Sequence, residues 1–256
     1  MRRFIAVLVL FICFQYSFSE KPNSVITSYP YEAVDYALKY GIIKIGEAHV
    51  ELSFDQKCSG AHIHAFAKSS GLFRFIKDIY YKYECCMDTA TGLPVSDSRI
   101  LIEGDYIDIN TVYYDHLSRK DSSIVYSKNT DTVVVPKNIY DLLSGFYYYR
   151  TNYLGDNLPL NHTVSTTTFF IDTIWDLKIR YCGKETINTN YGPIECLIVK
   201  PVTVIGHFFR TSDAMTMWFA NNGKHTPVKF SIDFKLGTLQ GIITDYKSLN
   251  MNNLFK

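Results

Sequence analysis

After residue 14 the sequence contains no apolar run long enough to cross a membrane as a helix, which needs about 20 residues. It has no CxxC pair, so a structural zinc site has little support. HExxH is missing, and so is the GxSxG of a nucleophile elbow. No glycine-rich phosphate loop appears, since Gly192-Pro193 and Gly237 stand alone. Charge of either sign is not in excess: Lys and Arg total 26, Asp and Glu 25, for a net of +1. Without a basic block or tail there is no electrostatic footprint for nucleic acid, and no nucleic-acid partner is expected. Nor is there an internal repeat, a low-complexity tract or a linker that would force two domains.

What the chain has instead is aromatic residues, 20 Tyr and 17 Phe in 256. Aromatics favour strands, and the length suits one large β domain with a sizeable core.

The first 19 residues read as a signal peptide. Arg2 and Arg3 are its positive start, Phe4 to Phe14 its apolar stretch, and Ser17-Phe18-Ser19 places small residues before a cut. Losing Arg2 and Arg3 would leave 24 basic side chains against 25 acidic ones. The expected destination is the periplasm or cell envelope, with no integral span after removal of the signal. Cys13 would leave too. The remaining five cysteines, Cys58, Cys85, Cys86, Cys182 and Cys196, are odd in number, so at least one thiol stays unpaired. Cys85 and Cys86 are adjacent and would face opposite ways on a strand, which makes them poor partners for each other. Cys58 could bond either one, Cys182 could reach Cys196 across a hairpin, or the thiols could simply be buried.

Residues 20–31 are a polar lead-in with two prolines. From 32 to 247 the chain reads as one β-rich domain, and 248–256 as a loose Asn-rich tail. Within the domain, alternating segments predict about a dozen strands: 34–40, 42–54 with a bulge or bend at Gly46, 61–68, two strands within 72–87 bent near Asp78, 98–103, 106–114, 124–127, 132–135, 164–171, 174–189, 194–199, 215–220, 227–234 and a last one from Gly237. Asn222-Gly223 marks a hairpin. Such close spacing predicts an antiparallel barrel-like or half-barrel sheet. One stretch departs from it. Ile139, Leu142, Leu143, Phe146, Tyr147 and Arg150 recur at helical spacing. With Asn138 as N-cap, they predict a single internal helix over about 138–151. Gly145 costs that helix about 1 kcal/mol against Ala, so packing must hold it, on the concave side of the sheet.

The motifs in order also resemble a family. Tyr40-Gly41 with Gly46-Glu47-Ala48, Asp78 followed by Tyr83, Leu93-Pro94 and Glu103-Gly104 come first. Leu143-Ser144 and Tyr147 to Arg150 follow, then Gly183-Lys184-Glu185 with Gly192, Pro201, Trp218, Pro227 and Gly237. Over roughly 32–247 they are similar to the exported bacterial family catalogued as DUF3108, a domain of unknown function. The resemblance implies an exported, β-rich protein and carries no activity, cofactor or catalytic residue with it.

Weighed one by one, the chemical candidates are sparse. His62 and His64 share a strand face, and His49, His207 or His225 could add a third ligand, but no carboxylate sits at ligand spacing; they are weak metal candidates, and no metal or cofactor is expected. Ser144 lies inside the helix, not at an elbow. Glu103/Asp105 and Asp105/Asp108 could do acid–base work on a sugar, although paired carboxylates on a strand are commonly a solvated face. Arg150, at the end of the helix, could cap carbonyls, pair with Glu185 or Glu103, or grip an acidic head group. The expected function is therefore non-enzymatic binding of an apolar or amphipathic, lipid-like molecule inside a curved sheet, with Phe146, Tyr147 and Arg150 as ligand-binding residues. The alternatives are an envelope enzyme acting on glycan or peptidoglycan, a structural envelope protein, or an outer-membrane barrel, which the mixed charge on many strands disfavours.

Overall fold

The computed structural model describes residues 31–55, 58, 60–155, 157–202 and 211–248. The expected signal segment, the lead-in up to residue 30, the tail beyond Ser248 and His207 lie outside the described residues.

Alternation builds the wall. The first strands are β1 (Glu32–Tyr40), β2 (Ile43–Asp55), β3 (Gly60–Ser69), β4 (Ile79–Met87), β5 (Pro94–Glu103), β6 (Tyr106–Asp115), β7 (Ser122–Ser127) and β8 (Asp131–Pro136). After the helical insertion come β9 (Thr163–Phe170), β10 (Thr173–Thr189), β11 (Gly192–Pro201), β12 (Met215–Ala220), β13 (Pro227–Phe234) and β14 (Gly237–Ser248). Each strand pairs antiparallel with its sequence neighbours, except β8 with β9, and β1 also pairs with β14. The order is therefore β8 through β1, then β14 back to β9, one sheet curled into a nearly closed barrel. Pairing β1 with β14 leaves, among the described residues, only β8 and β9 as open edges. Bulges at the β1–β2 and β10–β11 pairings add local twist. Gly46 is one of these positions: a Cβ there would lie 2.4 Å from the Lys68 carbonyl oxygen, so no other residue fits.

Because neighbouring strands run antiparallel, their connections fall alternately at two ends of the barrel. One end, the front, carries the β1–β2, β3–β4, β5–β6, β7–β8, β9–β10 and β13–β14 turns. The other, the rear, carries the start of β1, the end of β14 and the β2–β3, β4–β5, β6–β7, β10–β11 and β12–β13 turns.

The helix exists as expected but starts later. It is α2 (Leu142–Asn152); a single turn, α1 (Phe73–Ile76), precedes it in the β3–β4 connection. The N-cap is Asp141, not Asn138. Its carboxylate accepts from the N–H groups of Leu143 (3.0 Å) and Ser144 (2.9 Å), while its own N–H donates to Ser144 Oγ at 3.1 Å, a complete capping box. Asn138 takes a left-handed φ of 58°, turning the chain inward after β8. Tyr140 then runs parallel to β9, exchanging backbone bonds with Thr167 and Phe169 across the open seam. The second correction is at 72–76. These residues form turn and α1 rather than strand.

The expected one-sided stripe on α2 is also corrected. Ser144, Gly145, Tyr147, Tyr149 and Arg150 are buried, so the rod is covered on more than one face. That is what a helix inside a barrel requires. Leu143, Phe146 and Tyr147 pack on the inward side chains of β2–β4, Leu52, Ile63, Cys85 and Met87. On the other side Tyr149 and Leu154 meet Ile179, Leu197 and Phe219 of β10–β12. The concave side is thus filled by α2.

Candidate functional site

Arg150 shows how the rod is fastened. Its guanidinium is fully buried and grips Glu32 of β1 with both forks, Nη1 to Oε1 at 2.5 Å and Nη2 to Oε2 at 2.6 Å. Nε and Nη2 also donate to the Lys224 carbonyl in the β12–β13 turn, at 3.1 and 2.9 Å. The hydroxyls of Tyr147 and Tyr246 donate to the same carboxylate at 3.3 and 3.2 Å. Burial pushes the Tyr147 and Tyr36 phenols well above their usual range, so both stay neutral donors. Of the sequence candidates, Tyr147 and Arg150 lie together in this clamp. Phe146, half-buried, meets Phe219 in a tilted ring contact with centroids 5.7 Å apart. The partners expected for Arg150 are taken elsewhere: Glu185 accepts from Trp218 Nε1 at 2.8 Å, and Glu103 from Tyr81 and from Lys77 at 2.6 Å. The residue missed was Glu32. Its signal was alternation, since Glu32, Val34, Tyr36 and Leu38 all occupy inward positions of β1.

At its first turn α2 begins beside a second polar group. Asp97 of β5 accepts from Tyr114 Oη at 2.5 Å, and the buried Cys85 thiol donates to Asp141 Oδ1 at 3.2 Å. Burial, then the neighbouring Asp141 charge, pushes the Asp97 carboxyl up to about 8. Burial raises the Cys85 thiol well above its usual range, which leaves it unreactive. The space lined by Asp97, Arg99, Asp141 and Asp172 measures about 10 Å³, room for about one water and no sugar. Asp108 is held by Arg99 at 2.8 Å, and Asp105 is exposed in the β5–β6 turn. The carboxylates of the glycan-hydrolase alternative are therefore spread among separate partners.

A third cluster spans the seam. Ile171 and Asp172, both at positive φ, form the β9–β10 turn and tuck it against β5–β7. Asp172 accepts from Arg99 Nη2, Asn110 Nδ2 and Ser127 Oγ, each at 2.7 Å, and from Asn129 Nδ2 at 3.3 Å. These donors hold its carboxyl below the usual range although burial opposes them. Together with Tyr140, this latch ties β9–β10 to the far edge of the sheet.

The outer wall is different in character. On β5–β8 the outward cross-strand pairs are Ile102 with Ile107, Ile100 with Ile109, Tyr113 with Tyr126, and Ile124 with Val134. Ile107, Ile109, Tyr113, Tyr126 and Val134 are exposed. A shallow groove of about 460 Å³ runs between Tyr113, Tyr126, Thr111 and Thr132, with Lys128 and Asp131 at one end.

On the outside of β2–β4 His49, His62 and His64 form a row. The His62 and His64 rings stack, 7° from parallel with centroids 6.5 Å apart, and His49 accompanies Asp35 at 2.7 Å. His225 lies in the rear β12–β13 turn, away from this row. Among the described residues no three His, Cys, Asp or Glu side chains are grouped to hold a metal ion. Next to the row, Cys58 and Cys86 form a disulfide. Cys85 points inward, and Cys182 and Cys196 remain thiols. A bulge at Cys182 takes it out of register, and Cys196 pairs with Glu185 instead.

A family model described as "Protein of unknown function (DUF3108)" matches residues 35–244. No curated protein matches the chain. A solved structure described as a "Beta-barrel-like Protein of Domain of Unknown Function DUF1849 from Brucella abortus" superposes with a TM-score of 0.54 at 9% identity, covering 85% of this chain and 97% of that one. At that identity the likeness is one of fold alone.

Proposed function

The chain belongs to the DUF3108 family of proteins of unknown function, and we propose that it is an exported envelope protein that binds a lipid-like amphiphile without catalysis. The observation that carries this reading is the pairing of a filled interior with an apolar outer wall. With α2 occupying the barrel, Phe146, Tyr147 and Arg150 act as the plug, and the ligand lies outside, along the β6–β8 groove. At about 460 Å³ the groove falls in the range of small-molecule sites. Tyr113 and Tyr126 supply broad apolar faces with hydroxyl tips, suited to an acyl chain beside a polar head. Lys128 and Asp131 at its end give the head group both signs of charge. Export is supported by the signal-like first 19 residues and by the Cys58–Cys86 disulfide, a bond at home in an oxidising compartment.

The test is native mass spectrometry of the protein purified from its host, followed by lipid extraction. A displaceable amphiphile is expected in the wild type, and at least tenfold less in Tyr113→Ser/Tyr126→Ser. A protein that comes out clean and takes up no fatty acid or phospholipid would end the reading.

A further inference from the structure

The front and rear ends of the barrel differ sharply in what they hold out to solvent. Among the described residues, six large apolar side chains are more than four-fifths exposed, and five are at the front: Ile42 (96%), Leu72 (83%), Phe75 (89%), Ile76 (81%) and Leu236 (92%). Leu117, at the rear, is the sixth. The five come from three turns, β1–β2, β3–β4 with α1, and β13–β14. Those turns are neighbours on the rim, because the strands they join run β4-β3-β2-β1-β14-β13 in the sheet. Backbone bonds tie them together: Gly41 N–H to the Thr238 carbonyl at 3.3 Å, and Ser70 N–H to the Ile45 carbonyl at 2.9 Å. None of the five side chains is needed by the core, and each keeps in water an apolar surface whose burial is favourable. Scattered exposed leucines need no explanation, but a concentration on one rim does.

Charge identifies the occupant. Within two residues in sequence of these five side chains lie Lys44, Arg74, Lys77 and Lys235 against Asp78, with Glu103 beside Lys77 and Asp233 beside Thr238. Arg74 pairs with Asp78 at 3.2 Å and Lys77 with Glu103 at 2.6 Å, both in solvent, where such pairs are weak and exchangeable. Apolar tips among basic groups in slight excess match an anionic bilayer, with side chains entering the acyl boundary and ammonium groups staying among the phosphates. We infer that the front rim, Ile42, Leu72, Phe75, Ile76 and Leu236, docks the barrel end-on to an anionic membrane surface. This surface is separate from the β6–β8 groove, so the two proposals stand or fall independently.

The experiment uses the full-length protein as its host processes it, and two probes: vesicles of phosphatidylglycerol with phosphatidylethanolamine, and vesicles of phosphatidylcholine alone. Co-sedimentation with the anionic vesicles is expected, at least tenfold stronger than with phosphatidylcholine and reduced by added salt. Phe75→Ser/Ile76→Ser should lose at least tenfold in partitioning with unchanged melting temperature, whereas Leu117→Ser should partition as wild type. Phe75→Trp should shift its emission to the blue on vesicle addition. The inference is overturned if the protein ignores both vesicle types, if the double variant binds as well as wild type, or if the rim variants abolish self-association instead, which would make a second copy the occupant.

Discussion

Arg150 and Arg99 both stand buried inside the barrel and both hold carboxylates, yet those carboxylates lie at different depths. Arg150 and Glu32 are 0% and 1% exposed and meet through two parallel bonds, with a carbonyl and two phenols taking up the remaining capacity. Arg99 divides its donors between Asp108 and Asp172, whose side chains are 21% and 15% exposed. The deep pair joins residues 118 apart in sequence, the plug to the wall opposite the seam. The shallow set closes the seam itself. Desolvation makes the difference: a buried charge deprived of its partner has no water to turn to, whereas one near the surface rehydrates. The deep clamp thus specifies where α2 sits. The latch contributes ordinary, replaceable bonds.

The largest effect should come from breaking the clamp on one side. Arg150→Ala leaves Glu32 buried and unpaired, and urea unfolding should show a loss of about 3–5 kcal/mol. Replacing both, as Arg150→Met with Glu32→Leu, should recover most of that loss if specification rather than stability is the clamp's contribution. A double variant as weak as the single would mean the ionic bonds themselves hold the fold. Asp172→Ala tests the shallow side and should cost less, about 1–2 kcal/mol, because Arg99 keeps Asp108. The latch also has a pH signature. The Asp172 carboxyl titrates below its usual value in the folded protein. Its contribution is therefore present above the unfolded value, about pH 4, and is lost as pH falls through the lower folded value. The stability gap between wild type and Asp172→Ala should accordingly shrink below about pH 4. A constant gap would assign the effect to packing.

Which of these features the sequence reveals follows from their range. Strands with clean alternation are legible, and so is the presence of one helix, because periodicity is local. The cap was displaced by three residues because Asn138 and Asp141 are both good N-cap types; only the inward turn at Asn138, made by tertiary contact with β9, decides between them. Residues 72–76 misread as strand because Phe and Ile favour strands, and only the exposure of Leu72, Phe75 and Ile76 distinguishes a rim from a wall. Arg150 stood out, but its partner did not, since nothing local ties position 150 to position 32. The inward phase of β1, extended two residues back from Val34, would have nominated Glu32. Asp172 offered less: a positive-φ turn at Ile171-Asp172 has no signature in a β-branched residue.

The smallest effect concerns a third, apolar tie between rod and wall, at Gly145. A Cβ there would stand 3.3 Å from Thr168 Cγ2 and 3.5 Å from Tyr140 Cβ, closer than comfortable packing for the first. Two terms then oppose each other in Gly145→Ala: about 1 kcal/mol gained in helix propensity, and a similar crowding cost where α2 passes over β9. The single substitution should change stability by less than about 0.5 kcal/mol. Thr168→Ser removes only the crowded methyl and keeps the hydroxyl that donates to the Trp175 carbonyl at 3.3 Å. In that background Gly145→Ala should stabilise by close to the full 1 kcal/mol, a coupling measurable in a double-mutant cycle. Equal effects in both backgrounds would show that α2 rides free of β9 at this point, leaving Arg150 and the capping box at Asp141 as its fixed ends.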